Sequence, residues 1–165
     1  MKKALFISII YFLTTGISSL ECKAQIGQPW IHDPSTLAFC DGNWYTFGTG
    51  AGGLVTEDGW SWHSGPIRPG GGAAPDVIKI GDRYLVAYSA TGGGLGGGHN
   101  GRVLTMWNET LDPTSPKFKF SEPIEVASSD GDEDNDAIDA GLLLDPTTGR
   151  LWLSYGTYFG NIRIV

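Results

Sequence analysis

Three observations predict that this sequence folds as an all-β protein, a β-propeller of which about three blades are present. The region after residue 24 carries no sustained helical period. Short runs rich in β-branched and aromatic residues, bounded by Gly, Asp, Asn and Pro, recur along it, which is the pattern of strands and turns. Three of these regions share one internal plan: a motif with Pro or Ala at its centre, an apolar strand, a tight turn with Gly, and an aromatic-rich strand ending in small residues. Such repetition marks radial or linear arrays of one supersecondary unit.

The first 24 residues stand apart. Lys2 and Lys3 precede an apolar run from Ala4 to Leu13, and small residues lead to Cys22-Lys23-Ala24 before Gln25, as in a secretory leader cleaved near Ala24. The run is too short for a span of about 20 residues, and Glu21 stands where lipid attachment at Cys22 needs a small residue. The expectation is export to the periplasm or the exterior, with no stable membrane insertion. Losing residues 1–24 removes three lysines and one glutamate, taking the net charge from −7 to about −9. A chain so acidic is a poor partner for phosphate backbones, and no nucleic-acid partner is expected. Cys22 leaves with the leader and Cys40 remains alone, so the fold must rest on packing without an internal disulfide.

The mature region, residues 25–165, follows in order. The first copy is Asp33-Pro34-Ser35-Thr36-Leu37-Ala38-Phe39, a turn at Cys40-Asp41-Gly42, and a return strand Asn43-Trp44-Tyr45-Thr46-Phe47-Gly48-Thr49. The second is Ala74-Pro75-Asp76-Val77-Ile78-Lys79-Ile80, a turn at Gly81-Asp82, and Arg83 to Ser89. The third is Asp139-Ala140-Gly141-Leu142-Leu143-Leu144, a turn from Asp145 to Gly149, and Arg150 to Thr157. Anchored on Gly42, Gly81 and Gly149, the steps are 39 and 68 residues. A four-stranded blade takes about 40 to 50, so the longer step is assigned to insertions in the glycine-rich loop Gly92–Gly98 and the acidic loop Ser128–Asp136. Closing a ring takes about four to eight blades, and Arg163-Ile164-Val165 reads as a strand in progress. Residues 25–165 are therefore expected to be the N-terminal part of a longer propeller domain; an irregular β-sandwich is the alternative.

The motifs that open the copies are His32-Asp33-Pro34-Ser35, Ala74-Pro75-Asp76-Val77-Ile78 and Asp136-Ala137-Ile138-Asp139, the last followed by the aromatic and small residues 151–162. In order and spacing they resemble glycoside hydrolase family 43, its arabinanases above all, over residues 32–165. The resemblance implies a five-bladed propeller whose innermost strands point carboxylates into an axial funnel, where arabinan or a related pentose polysaccharide is hydrolysed with inversion. It implies that Asp33 is the general base and that Asp139 raises the pKa of the acid and orients it. The acid, a Glu, belongs to a later blade in the family, so these 165 residues alone are expected to be inactive. Asp76 is implied to line the substrate subsite. Asp136 stands where the arabinanase pattern has Asn, beside Asp139, where an extra carboxylate bears on sugar contact or local pKa. Ala73 replaces the Trp usual three residues before Asp76, which removes an aromatic wall.

Independent of the resemblance, inverting hydrolysis needs two carboxyl groups roughly 6.5 to 9.5 Å apart with water between them, and Asp33 and Asp139 share an axis only if successive blades curve around it. Either is, on residue type alone, an ordinary Asx-type turn at a strand entry. His32 reads either as lining the site or, the commoner fate of such a residue, as a hydrogen-bonding residue of the blade core. The Gly92–Gly98 run, with His99 and Asn100, lacks the Gly-Lys-Ser/Thr and helix of a phosphate loop. The Asp130–Asp136 cluster carries oxygen ligands suited to Ca²⁺ but no closing Glu; no cofactor is expected within these residues, and Ca²⁺ is left open for a longer protein. Trp60 and Trp62 are available to stack on a sugar ring or to pack in the core. A non-catalytic sugar-binding propeller is the competing function. A retaining, fructan-cleaving propeller ranks lower, because His32 and Ser35 stand where its motif has Asn and Gly.

Overall fold

A computed structural model describes residues 25–91, 100–131, 135–156 and 161–165. The leader, most of the glycine-rich loop and part of the acidic loop lie outside the described residues. Among the described residues every element is a strand, and the strands form three sheets in sequence order.

The first sheet contains β2 (Ala38–Cys40), β3 (Asn43–Phe47), β4 (Gly53–Thr56) and β5 (Ser61–Ser64), each antiparallel to the next, with the two-residue β1 (Ile26–Gly27) added in parallel beyond β5. The second is a meander of β6 (Ala73–Ile80), β7 (Arg83–Thr91), β8 (Arg102–Asn108) and β9 (Ile124–Ser128). The third holds β10 (Gly141–Leu144), β11 (Leu151–Tyr155) and β12 (Arg163–Ile164). The turn at Asp41-Gly42 has φ of 49° and 88°, the left-handed pair that a two-residue hairpin requires and that Asp-Gly tolerates.

Side-chain alternation in β7 explains how the sheets stack. Tyr84, Val86 and Tyr88 pack with Ala38, Cys40, Tyr45 and Phe47 of the first sheet, while Ala87 packs with Ala137, Ala140 and Leu153 on the side of the third. A strand buried on both faces needs an unbroken apolar run, and Tyr84–Tyr88 supplies one. β6 lies between β2 and β10, so the first strand of each repeat is its innermost. The sheets are blades arranged about a common edge, as expected. On the two outer faces apolar side chains remain open: Leu37 and Phe39 on the first blade are about half exposed, and Leu143 and Trp152, paired across β10 and β11, are 62% and 38% exposed.

The long second step is only partly the pair of loops expected. Residues 109–123, between β8 and β9, add a packed segment: Leu111 is fully buried in the core between the first two blades, and Phe120 meets Phe47 edge-on at 6.2 Å. Cys40 is a buried free thiol, in keeping with a fold held by packing.

Candidate active site at the blade openings

The three repeats begin with the same backbone device. Asp33, Ala74 and Asp139, equivalent in the sequence plan, have φ of 47°, 40° and 54°. The left-handed region is uncommon for non-glycine residues, and Asp tolerates it better than Ala. Each bend turns the chain into the inner strand of its blade. The second and third bends are each held by the blade before them: the Ala74 N–H donates to Thr49 Oγ1 at 2.9 Å, and the Asp139 N–H donates to Ser89 Oγ at 2.9 Å. Thr49 and Ser89 are equivalent positions at the end of the aromatic-rich strand, so one latch is repeated between blades. Within the second blade, Gly72 lets the start of β6 lie close against β7, since a Cβ there would lie 2.2 Å from the Ser89 carbonyl oxygen.

The three openings wall a pocket of about 240 Å³, formed by residues 33–36 of the first blade, 74–76 of the second and 139–140 of the third. Asp33, Asp76 and Asp139, far apart in sequence, are thus brought together. Asp33 is exposed, and its Oδ2 accepts from Thr49 Oγ1 at 2.7 Å and lies 2.8 Å from His32 Nδ1. The Ser35 N–H, which an Asx turn would have directed to Asp33, donates to the Phe47 carbonyl instead. Asp139 sits at the rim. Partial burial of its carboxyl, then the charges of Asp33 and Asp136, raise its pKa above the ordinary aspartate value, as expected of like charges within electrostatic reach.

Asp76 lines the pocket, yet its carboxylate is committed to backbone. Oδ1 accepts the N–H groups of Thr36 at 3.0 Å and Val77 at 2.9 Å, and Oδ2 accepts the Leu142 N–H at 2.7 Å. Thr36, Val77 and Leu142 lie at the entries of the three inner strands, so a single buried carboxylate ties those strands together. Nothing in the sequence signals this, because the partners on the other two blades lie 40 and 66 residues away.

Asp136 does not line the pocket. It is fully buried beneath Gly101 and Ser129, with Oδ2 lacking a partner. This geometry supports an effect on the charge of Asp139 rather than direct sugar contact. His32, expected in the blade core, has a side chain 80% exposed. Trp62 is buried and donates from Nε1 to the Gly59 carbonyl, and Trp60 is exposed; both lie on or beside β5, two strands removed from β3, and neither lines the pocket. Asp130 is an exposed residue 3.9 Å from Arg102, and the centre of the acidic loop, like Gly92–His99, lies outside the described residues. Among the described residues no group of three or more His, Cys, Asp and Glu converges to hold a metal.

No family model matches the chain. It is 27% identical over 165 residues to the extracellular exo-α-(1→5)-L-arabinofuranosidase of Cellvibrio japonicus, covering 89% of this chain and 46% of that protein. It is 33% identical over 147 residues to the probable arabinan endo-1,5-α-L-arabinosidase A of Aspergillus flavus, covering 80% and 43%. Among solved structures, an exo-1,5-α-L-arabinanase from a bovine ruminal metagenomic library superposes with a TM-score of 0.73 at 29% identity, covering 82% of this chain and 48% of that one. The Cellvibrio cellulosa α-L-arabinanase complexed with arabinohexaose shares the fold, with a TM-score of 0.71 at 22% identity and coverage of 85% and 48%. The chain spans about half the length of the relatives it matches. Fold, pocket and relatives define the class: a β-propeller of the kind found in arabinan-degrading glycosidases. The chain's sequence and structural relatives are arabinanases and arabinosidases, the group of glycoside hydrolase family 43 that the three opening motifs resemble.

Proposed function

We propose that this chain is the N-terminal part of an exported glycoside hydrolase that cleaves O-glycosidic bonds of arabinan, or of a related pentose-containing plant polysaccharide, with inversion of configuration. Asp33 is the general base. Asp139 is the carboxyl that keeps a nearby acid protonated, and the acid is a Glu supplied from outside these 165 residues.

One observation carries the reading. Three equivalent positions adopt the same left-handed bend, and Ala74 forms it without a carboxylate; the bend alone does not call for Asp at the other two. Both remaining positions, Asp33 and Asp139, meet in one pocket. In the reaction, Asp33 takes a proton from a water as the water oxygen bonds to the anomeric carbon, while the acid delivers its proton to the departing glycosidic oxygen and the carbon–oxygen bond breaks. A neighbouring carboxyl disfavours ionisation of that acid. The open apolar faces of the first and third blades, together with the half-length match to the relatives, support additional blades beside them. Export is supported by the composition of residues 1–24 and by the extracellular relative from Cellvibrio japonicus.

The test is Asp33→Ala in the full-length gene product. Turnover of linear arabinan is expected to fall about 10²- to 10⁴-fold, with oligosaccharide binding retained by calorimetry; unchanged turnover removes Asp33 from the mechanism. The non-catalytic sugar-binding reading draws on the absence of Glu among the pocket residues. A gene sequence without a Glu at the opening of any further blade would favour it, and the anomer first released, followed by proton NMR, decides between inversion and retention.

A further inference from the structure

We propose that Thr49 is a positioning residue that selects which oxygen of Asp33 acts on the attacking water. This rests on the reading of Asp33 as the base. The Thr49 hydroxyl is held at both ends: its oxygen accepts the Ala74 N–H from the next blade at 2.9 Å, and its proton goes to Asp33 Oδ2 at 2.7 Å. The N–H occupies one lone pair, so the hydroxyl has little freedom to turn its proton elsewhere. His32 Nδ1 approaches the same Oδ2 at 2.8 Å. The Thr49 donor and the close approach of the His32 ring both fall on Oδ2, which leaves Oδ1 as the atom with lone pairs open to the pocket that Asp33 lines.

The comparison within the molecule separates this role from simple blade stapling. Ser89, at the equivalent position, holds only the backbone of the following bend, through the Asp139 N–H. The latch therefore needs an acceptor in both blades, whereas, of these two described residues, Thr49 is the one that donates to a carboxylate of its own blade. A threonine rather than a serine further limits the rotamers open to that hydroxyl.

The experiment compares Thr49→Val, Thr49→Ala and Thr49→Ser in the full-length gene product. Loss of the hydroxyl removes both its bond to Asp33 and its acceptor for the Ala74 N–H; it is expected to lower kcat on linear arabinan about tenfold with KM changed by less than about twofold, and Thr49→Ser is expected to restore kcat. The carboxyl ¹³C resonance of Asp33 is expected to move in the Val and Ala variants and to return in Ser. Wild-type kcat or an unmoved Asp33 resonance in Thr49→Val overturns the proposal, and Thr49→Ala supplies the same test if the valine variant fails to fold. Absence of arabinan hydrolysis in the unsubstituted protein would instead overturn the assignment of Asp33 as base, and the resonance alone then decides whether Thr49 holds the carboxylate.

Discussion

Replacing Asp76 by Ala tests whether the centre of this fold is held by one carboxylate. The substitution removes three N–H···O bonds of 2.7 to 3.0 Å, each to a different blade, and leaves the Thr36, Val77 and Leu142 amides without their acceptor. A hydrogen bond to a charged group contributes about 1.5 to 3 kcal/mol net. Water from the adjacent pocket can reach part of the site, so the lower figure applies to each bond, and the expected loss is roughly 4 to 5 kcal/mol. Against a typical total of about 5 to 15 kcal/mol, that is a large fraction of the stability. Urea titration followed by tryptophan fluorescence reads it as a fall in midpoint at constant slope. Asp76→Asn keeps one acceptor but turns an NH₂ toward a backbone N–H, and its loss is expected to be smaller, about 2 to 3 kcal/mol. Amide exchange localises the effect, because the Thr36 and Leu142 protons should lose protection before those of β7. A midpoint for Asp76→Ala equal to that of the unsubstituted chain, with Leu142 still protected, would refute the reasoning.

Two other perturbations bear on the third blade. The raised pKa of Asp139 means that the folded chain keeps a proton that the unfolded chain has already released. Stability from this group is therefore present below the unfolded aspartate value, about 4, and is lost as pH rises through the folded value. Asp139→Asn should flatten that part of the urea midpoint against pH curve and stabilise the chain at neutral pH; an unchanged slope would contradict the burial and charge effects named as its cause. Gly101→Ala would place a Cβ 2.6 Å from Asp136 Oδ1 and 2.7 Å from the backbone of Ala137. The contact is mostly with backbone and cannot relax cheaply, so a loss of about 1 to 3 kcal/mol is expected in a thermal melt, with the Asp139 amide resonance shifted.

The strands are legible where one face pattern dominates. Tyr84–Tyr88 announces itself because both faces are buried, and the Asp41-Gly42 and Gly81 turns fix the hairpins around them. β1 carries no signal, since two residues added in parallel to β5 show no period. Residues 109–123 escape a reading by period because Leu111, Phe118 and Phe120 are too widely spaced to mark a strand, although Leu111 and Phe120 pack into the core between the first two blades. His32 is expected inside because histidine on a β-rich segment usually finds a core partner; here it precedes the bend, where the chain is still outside the blade.

The site divides along a similar line. Motif order is sufficient to predict that residues 33, 76 and 139 share a cavity, because each opens an inner strand and the inner strands are neighbours. What each carboxylate does within the cavity is not legible, because that depends on partners contributed by other blades. Asp76 commits its oxygens to three backbone amides, Asp136 is sealed behind Gly101, and exposed Asp33 has its Oδ2 held by the Thr49 hydroxyl rather than by backbone. The middle blade acts as an internal control for this division. It repeats the bend with Ala74 and moves its carboxylate two residues on, to Asp76, where the side chain serves the architecture. A carboxylate at the bend is thus dispensable for making a blade, which supports the roles proposed for Asp33 and Asp139 in the pocket.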